Sequence, residues 1–157
     1  MAKIHLIRHG EAASSWDQDK DPGLSANGHQ QAQQCANVLS QGPRCELISS
    51  PLRRTRETAA PLVQAWGTEL HIEQAVAEVP SPEMDLATRS AWLKNVMSQR
   101  WDEQQDWLKK WRQDIVDFLL SIEKDSIIFT HFVAINAVCS NDADANVLQF
   151  SPGYTSI

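Results

Sequence analysis

Ile4-His5-Leu6-Ile7-Arg8-His9-Gly10 is the stretch from which the architecture can be read first. Its short apolar run predicts a buried strand, and the basic pair followed by glycine predicts that this strand ends in a loop. The same arrangement returns twice. A short strand pattern at 46–49, with Leu47 and Ile48 at its centre, is followed by Ser50-Pro51, and a clearer one at 126–130 is followed by His131. We therefore expect three buried strands, each ending in polar residues.

Helical patterns separate these strands. Behind Ser25, a good N-cap, four apolar residues fall on one helical face, and Gly42-Pro43 should stop that helix. Those four residues are Ala32, Cys35, Ala36 and Leu39. Ser50-Pro51 resembles an N-cap followed by proline in the first turn, which predicts a helix through Thr58. Pro61 then predicts a kink or two abutting helices.

The C-terminal half continues the alternation. We expect a short strand at 69–73, an irregular loop at 75–86, and helices at 87–97, 103–122 and 132–139. Residues 154–157 resemble the beginning of a last strand. Strands that alternate with helices predict an α/β fold, a three-layer α/β/α sandwich with a mostly parallel central sheet. We expect one domain over 1–157, with its C-terminal strand incomplete.

Composition limits the classes of partner. The chain has 157 residues and a net charge of −6, without a run of Lys or Arg, which argues against nucleic acid as a ligand. It has no apolar run near the ~18 residues of a membrane span and no signal-peptide pattern. Three cysteines at wide spacing fit neither a disulfide framework nor a zinc site. We expect a cytoplasmic protein that binds neither membrane nor nucleic acid.

In parallel sheets, ligands bind outside the carboxyl ends of the strands. His9 and His131 each follow a strand, and Arg53 and Arg54 lie near the end of a third. If these strands are neighbours, they collect positive charge at one edge of the sheet. In an acidic protein such a cluster indicates a site for an anion such as phosphate.

Four motifs resemble those of the histidine phosphatase superfamily, the phosphoglycerate-mutase-like proteins. They are Leu-Ile-Arg-His-Gly-Glu at 6–11, Leu-Ser-Ala-Asn-Gly at 24–28, Ser-Ser-Pro-Leu-Arg-Arg-Thr-Arg-Glu-Thr-Ala at 49–59, and Thr-His at 130–131. Their order is that of the family. The segment 84–122 has no such motif and is assigned from its helical pattern alone.

The resemblance implies a role for each basic residue. His9 would be the nucleophile that becomes a phosphohistidine, held in one tautomer by a hydrogen bond to a backbone carbonyl. Arg8 would bind phosphate oxygens. Of the adjacent arginines, the motif register selects Arg54, since neighbours on a helix point about 100° apart. His131, when protonated, would stabilise negative charge in the transition state.

Three further assignments concern the acid and the substrate. The resemblance suggests Glu78 as the acid that protonates the leaving oxygen, with Glu83 and Asp85 as runners-up; such an acid needs a raised pKa. Ser14 and Ser15, in the loop after the nucleophile, would contact substrate. Phe132 stands where the family has small residues, and we expect it to narrow the pocket or line it with an apolar wall.

The resemblance therefore predicts a metal-independent phosphatase without cofactors, acting on a phosphorylated small molecule or a phosphoprotein. A mutase is one alternative, although residues 12–23 match the mutase loop poorly. A protein phosphohistidine phosphatase is another, and it would gain if Glu78 lay far from the pocket. A non-catalytic phosphate-binding or scaffold domain is the third.

The chain ends earlier than its relatives usually do, so it is either naturally short or lacks a tail. The oligomeric state is open.

Overall fold

A computed structural model describes residues 1–15, 18–80 and 84–157. Within these ranges the sheet has four parallel strands, in the order β1-β4-β2-β3. The strands are β1 (Ile4–Arg8), β2 (Glu46–Ser49), β3 (His71–Ile72) and β4 (Ser126–Thr130). An all-parallel sheet of this kind requires crossover connections, and helices supply them.

In the described part of the chain, five α-helices connect and cover the strands. They are α1 (Ala26–Leu39), α2 (Arg53–Trp66), α3 (Leu86–Met97), α4 (Asp106–Ser121) and α5 (Phe132–Val138). Two 3₁₀ turns, Gln74–Val76 and Trp101–Glu103, lie between them. As expected, the Ser25 side chain caps α1 by accepting the Gly28 N–H at 2.9 Å. No helix in the described ranges is both long and apolar enough to cross a membrane.

Apolar side chains cover both faces of the sheet. Along β4, Ile127 and Phe129 point to the face covered by α1 and α2, while Ile128 points to the opposite face with Phe118 of α4. A further apolar cluster joins α3, α4 and α5, with the buried Trp101 among its members. The predicted three-layer α/β/α sandwich with a parallel sheet is confirmed.

Two details around α2 differ from the expectation. Ser50 is not the N-cap, because the helix begins at Arg53 with Leu52 at the cap position. The Ser50 hydroxyl instead accepts the Leu52 N–H at 3.1 Å, in the turn before the helix. Pro61 lies inside one continuous helix, so the expectation of two abutting helices is wrong. Ala59 and Leu62, on either side of this proline in sequence, are fully buried in the apolar cluster with Ile127 and Phe129, and tertiary packing of this kind stabilises a helix that lacks one N–H.

The expected strand at 154–157 is also wrong. Thr155 has a φ of 54°, in the left-handed region, which is incompatible with an extended strand. The segment turns instead, and the Thr155 N–H donates to the Arg8 carbonyl at 2.9 Å. The C-terminal segment therefore contacts the end of β1 through a turn.

Strand register brings three strand ends to one edge of the sheet. Arg8 pairs with Thr130 and Ser49 pairs with Phe129, so the carboxyl ends of β1, β4 and β2 are level. The residues that follow these ends are therefore neighbours in space, although they lie far apart in sequence.

Candidate active site

His9 follows β1 and is held in a defined orientation. Its Nδ1 lies 2.6 Å from the Gly10 carbonyl, which can only accept, so Nδ1 carries the proton and Nε2 presents a lone pair. The Gly10 N–H donates to the Thr58 hydroxyl at 3.0 Å. A Cβ at Gly10 would lie 2.8 Å from the Gly28 carbonyl oxygen, so only glycine fits between this loop and α1.

The surroundings of His9 favour the neutral ring. Burial lowers the pKa of His9 to about 3, and the charges of Arg54 and Arg8 lower it as well, against the opposing effect of the Gly10 hydrogen bond. A neutral imidazole with its lone pair on Nε2 is the form in which histidine acts as a nucleophile. The ring therefore has this form throughout the neutral pH range.

Arg54 occupies the first turn of α2 and reaches His9. Its side chain is buried, with 2% exposed, and its Nε donates to His9 Nε2 at 3.2 Å. Arg53, one residue earlier, has a side chain that is 61% exposed and pairs with Glu57 at 3.3 Å. The structure thus brings Arg54 to His9 and leaves Arg53 at the surface.

His131, directly after β4, is completely buried beside His9, with ring centroids 5.4 Å apart. Its Nε2 lies 2.8 Å from the Ser50 hydroxyl, and its Nδ1 has no hydrogen-bond partner among the described residues. Burial holds the pKa of His131 well below its usual value, with the Arg54 charge as the next cause. The protonated form predicted for this ring therefore requires negative charge nearby.

Arg8 lies between two aromatic rings. Its guanidinium carbon is 4.1 Å from the centroid of Tyr154 and 5.1 Å from that of Phe132. Nη1 donates to the Pro152 carbonyl at 2.9 Å. Burial lowers the pKa of Arg8, but a guanidinium remains charged. The C-terminal segment therefore holds the cation that lies next to the nucleophile.

Glu78 is buried, with 6% exposed, and accepts three backbone N–H groups. Oε1 accepts from Val79 at 3.0 Å and from Ala134 at 3.2 Å, and Oε2 accepts from Val133 at 3.3 Å. Burial raises the pKa of Glu78, whereas these hydrogen bonds and the Arg54 charge oppose the increase. The carboxyl group thus binds the start of α5 and lies within the electrostatic range of Arg54 and Arg8.

A cavity of about 610 Å³ opens above His9. Its lining residues are Arg8, His9, Ala12, Ala13, Ser14, Ser15, Gln18, Ser90 and Tyr154. The two serines from the loop after the nucleophile thus share this cavity with His9. Phe132 is not among the described lining residues; its ring lies against the Arg8 guanidinium at 5.1 Å, and Tyr154 contributes the aromatic ring of the lining.

Residues 4–150 match the histidine phosphatase superfamily (branch 1). The chain belongs to this superfamily. The match includes the segment 84–122, in which we found no sequence motif of the superfamily.

Among curated members of the superfamily, this chain is similar to the probable phosphoglycerate mutase GpmB of Escherichia fergusonii, with 34% identity over 85 residues. GpmB of Escherichia coli gives the same identity over the same length. The alignment covers 50% of this chain and 39% of the relative. This chain therefore spans about two fifths of the length of the curated relatives it matches.

Solved structures share the fold of this chain over most of its length. A mycobacterial glucosyl-3-phosphoglycerate phosphatase superposes with a TM-score of 0.76 at 18% identity, covering 99% of this chain and 90% of that one. A phosphoserine phosphatase from Entamoeba histolytica superposes with a TM-score of 0.70 at 21% identity, covering 99% and 88%. At these identities the likeness shows the phosphoglycerate-mutase-like fold alone.

Several residues of the site were not predicted from the sequence, among them Tyr154, Ser50, Gln18 and Ser90. Tyr154 stacks on Arg8 although the two residues lie 146 positions apart in sequence, and no local sequence pattern predicts such a contact. Ser50 was assigned to a helix cap, although its place at the end of β2 was a signal that it would face the site. Of the runner-up acids, Asp85 is the N-cap of α3 and accepts the Thr88 N–H at 2.7 Å, and Glu83 lies outside the described residues.

Proposed function

We propose that this protein is a phosphatase that hydrolyses a phosphomonoester through a phosphohistidine on His9. The observation that carries the proposal is the state of His9. Its Nδ1–H is bound to the Gly10 carbonyl, and its neutral Nε2 faces the Arg54 guanidinium at 3.2 Å. A lone pair beside a buried cation is suited to attack on phosphorus, because the phosphoryl oxygens then lie next to the guanidinium.

The reaction proceeds in two transfers. In the first, His9 Nε2 forms a bond to phosphorus while the ester P–O bond breaks, and the leaving oxygen takes a proton. Glu78 supplies that proton when its carboxyl group is neutral, which the raised pKa favours. In the second, water attacks phosphorus, the N–P bond breaks, and inorganic phosphate leaves. The water gives its proton to Glu78 and restores the acid.

Positive charge for both transfers comes from the chain itself. The guanidinium groups of Arg8 and Arg54 are fixed cations near His9, and His131 adds an N–H beside them. A phosphate dianion next to His131 raises the pKa of that ring, which favours the protonated form at the moment when negative charge develops. The proposed reaction therefore needs no metal ion.

The residues that line the cavity favour hydrolysis of an ester whose leaving group is uncharged, although Arg89, outside this lining, lies within electrostatic range of Arg54. Among the described residues that line the cavity, Arg8 is the only charged side chain, and the others present hydroxyl, amide, methyl or aromatic groups together with the His9 ring. A mutase acting on phosphoglycerate must also hold the substrate carboxylate, which requires a second cation. The names of the curated relatives favour mutase activity, but this chain spans only part of their length.

The first test is turnover of a generic aryl phosphate in metal-free buffer with chelator. We expect wild type to release phosphate and His9→Ala to lose turnover while remaining folded. His29→Ala provides the matched control, because His29 is exposed on α1, away from the cavity lining. Acid-labile, base-stable phosphate on quenched wild type would identify the intermediate. Equal turnover in wild type and His9→Ala would refute the assignment, and loss of turnover with chelator would refute metal independence.

A further inference from the structure

The Ser50 hydroxyl connects the turn before α2 to the second histidine of the site. Ser50 and His131 are both completely buried, and Ser50 Oγ lies 2.8 Å from His131 Nε2. The same oxygen accepts the Leu52 N–H at 3.1 Å. Because the Leu52 amide can only donate, it occupies a lone pair of the hydroxyl and leaves the Ser50 proton available for the ring nitrogen.

The other ring nitrogen of His131, Nδ1, is buried and has no hydrogen-bond partner among the described residues. A buried polar atom without a partner costs free energy unless a ligand supplies one. Nε2 is already bound to Ser50, so Nδ1 is the nitrogen that remains for a phosphoryl oxygen.

We propose that Ser50 is a positioning residue that fixes His131 in the tautomer protonated on Nδ1. In this arrangement Ser50 donates its proton to Nε2, and the Nδ1–H of His131 donates to a phosphoryl oxygen bound at His9. The opposite tautomer would place a lone pair on Nδ1, and that lone pair would repel the phosphoryl oxygens. This proposal rests on the proposed function, since it concerns the same phosphate site.

Ser49 offers a matched control for the hydroxyl. It is the neighbouring residue, it is also completely buried, and its hydroxyl donates to the Ser50 carbonyl at 2.8 Å instead of reaching a ring. Ser49→Ala and Ser50→Ala therefore remove the same atom from the same strand end, but only Ser50→Ala removes the partner of His131. Ser50→Thr keeps the hydroxyl and tests for rescue.

The experiment is nitrogen-15 NMR of the histidine side chains at neutral pH, with vanadate as the phosphate probe. Before vanadate is added, we expect the His131 ring of wild type and Ser50→Thr to show a protonated Nδ1 and an unprotonated Nε2. In Ser50→Ala we expect a mixture of tautomers and weaker vanadate binding by about ten-fold or more, the usual effect of losing a buried hydrogen-bond partner. Ser49→Ala should retain both the wild-type tautomer and the wild-type affinity.

Two results would overturn the proposal. One is a neutral His131 in wild type that carries its proton on Nε2. The other is a Ser50→Ala variant whose ring signals and vanadate affinity match those of wild type and Ser49→Ala. Neither readout depends on turnover, so a protein that binds vanadate but hydrolyses no ester would contradict the proposed function and leave the Ser50 test intact.

Discussion

Arg54 donates from Nε to the Nε2 of His9 across 3.2 Å, the nitrogen that the proposed reaction joins to phosphorus. A phosphoryl group bonded to that nitrogen replaces this hydrogen bond and brings its oxygens to the same guanidinium. The pair thus combines two functions. Burial is the main reason that the pKa of His9 is low, and the Arg54 cation lowers it further before the reaction and stabilises the charge on the oxygens during it.

This pair predicts a contrast between adjacent arginines. Arg54→Ala should lower kcat/KM for an aryl phosphate by about a hundred-fold or more, the usual effect of removing one transition-state donor. Arg53→Ala should change it by less than about two-fold, because Arg53 is exposed and paired with Glu57. Steady-state kinetics of both variants make the comparison. Equal losses in the two would contradict the assignment of Arg54.

The strand ends show what the sequence could predict and what it could not. Short apolar runs ending in polar residues predicted the strands, and the positions of His9 and His131 after β1 and β4 predicted their proximity. The choice of Arg54 over Arg53 followed from motif register and helical geometry. Local patterns could not predict the Tyr154–Arg8 stack, since it depends on how the C-terminal segment turns at Thr155. Nor could they predict that packing would carry α2 through Pro61.

The lowered pKa of His9 predicts a loss of stability in acid. The folded ring has a pKa of about 3, against 6.5 in an unfolded chain. Between these values the unfolded state binds more protons, so stability falls as the pH drops below 6.5. At pH 5, His9 alone should cost about 2 kcal/mol relative to neutral pH.

Urea unfolding at pH 7 and pH 5 checks this value. His9→Asn removes the titrating ring, so its loss of unfolding free energy between the two pH values should be smaller than that of wild type by about 2 kcal/mol. His29→Asn, which changes an exposed histidine, should lose as much as wild type. A His9→Asn variant as acid-sensitive as wild type would show that the ring is not held neutral.

Glu78 can be tested as an acid through the leaving group. Glu78→Gln should lower kcat for an alkyl phosphate by about a hundred-fold, because an alkoxide needs the proton, and should affect an aryl phosphate much less. In wild type, activity on the alkyl ester should decline as the pH rises through the raised pKa of Glu78 and the acid ionises. Equal losses on both esters with a lowered Tm would mean that Glu78 serves only to anchor α5 through Val133 and Ala134.

The nature of the cavity predicts discrimination between two substrates that differ in one group. Glycerol 3-phosphate has a hydroxymethyl group where 3-phosphoglycerate has a carboxylate, and the lining described here offers no second cation to bind that carboxylate. We expect a higher kcat/KM for glycerol 3-phosphate. Ser90→Lys adds a cation to the lining and should shift the ratio toward 3-phosphoglycerate by about two- to five-fold, as expected for a solvent-screened charge pair. Ser90→Gln controls for side-chain size and should leave the ratio unchanged. A wild-type preference for 3-phosphoglycerate would instead mean that a cation outside this lining, such as Arg89, binds the carboxylate. That result would favour the mutase alternative.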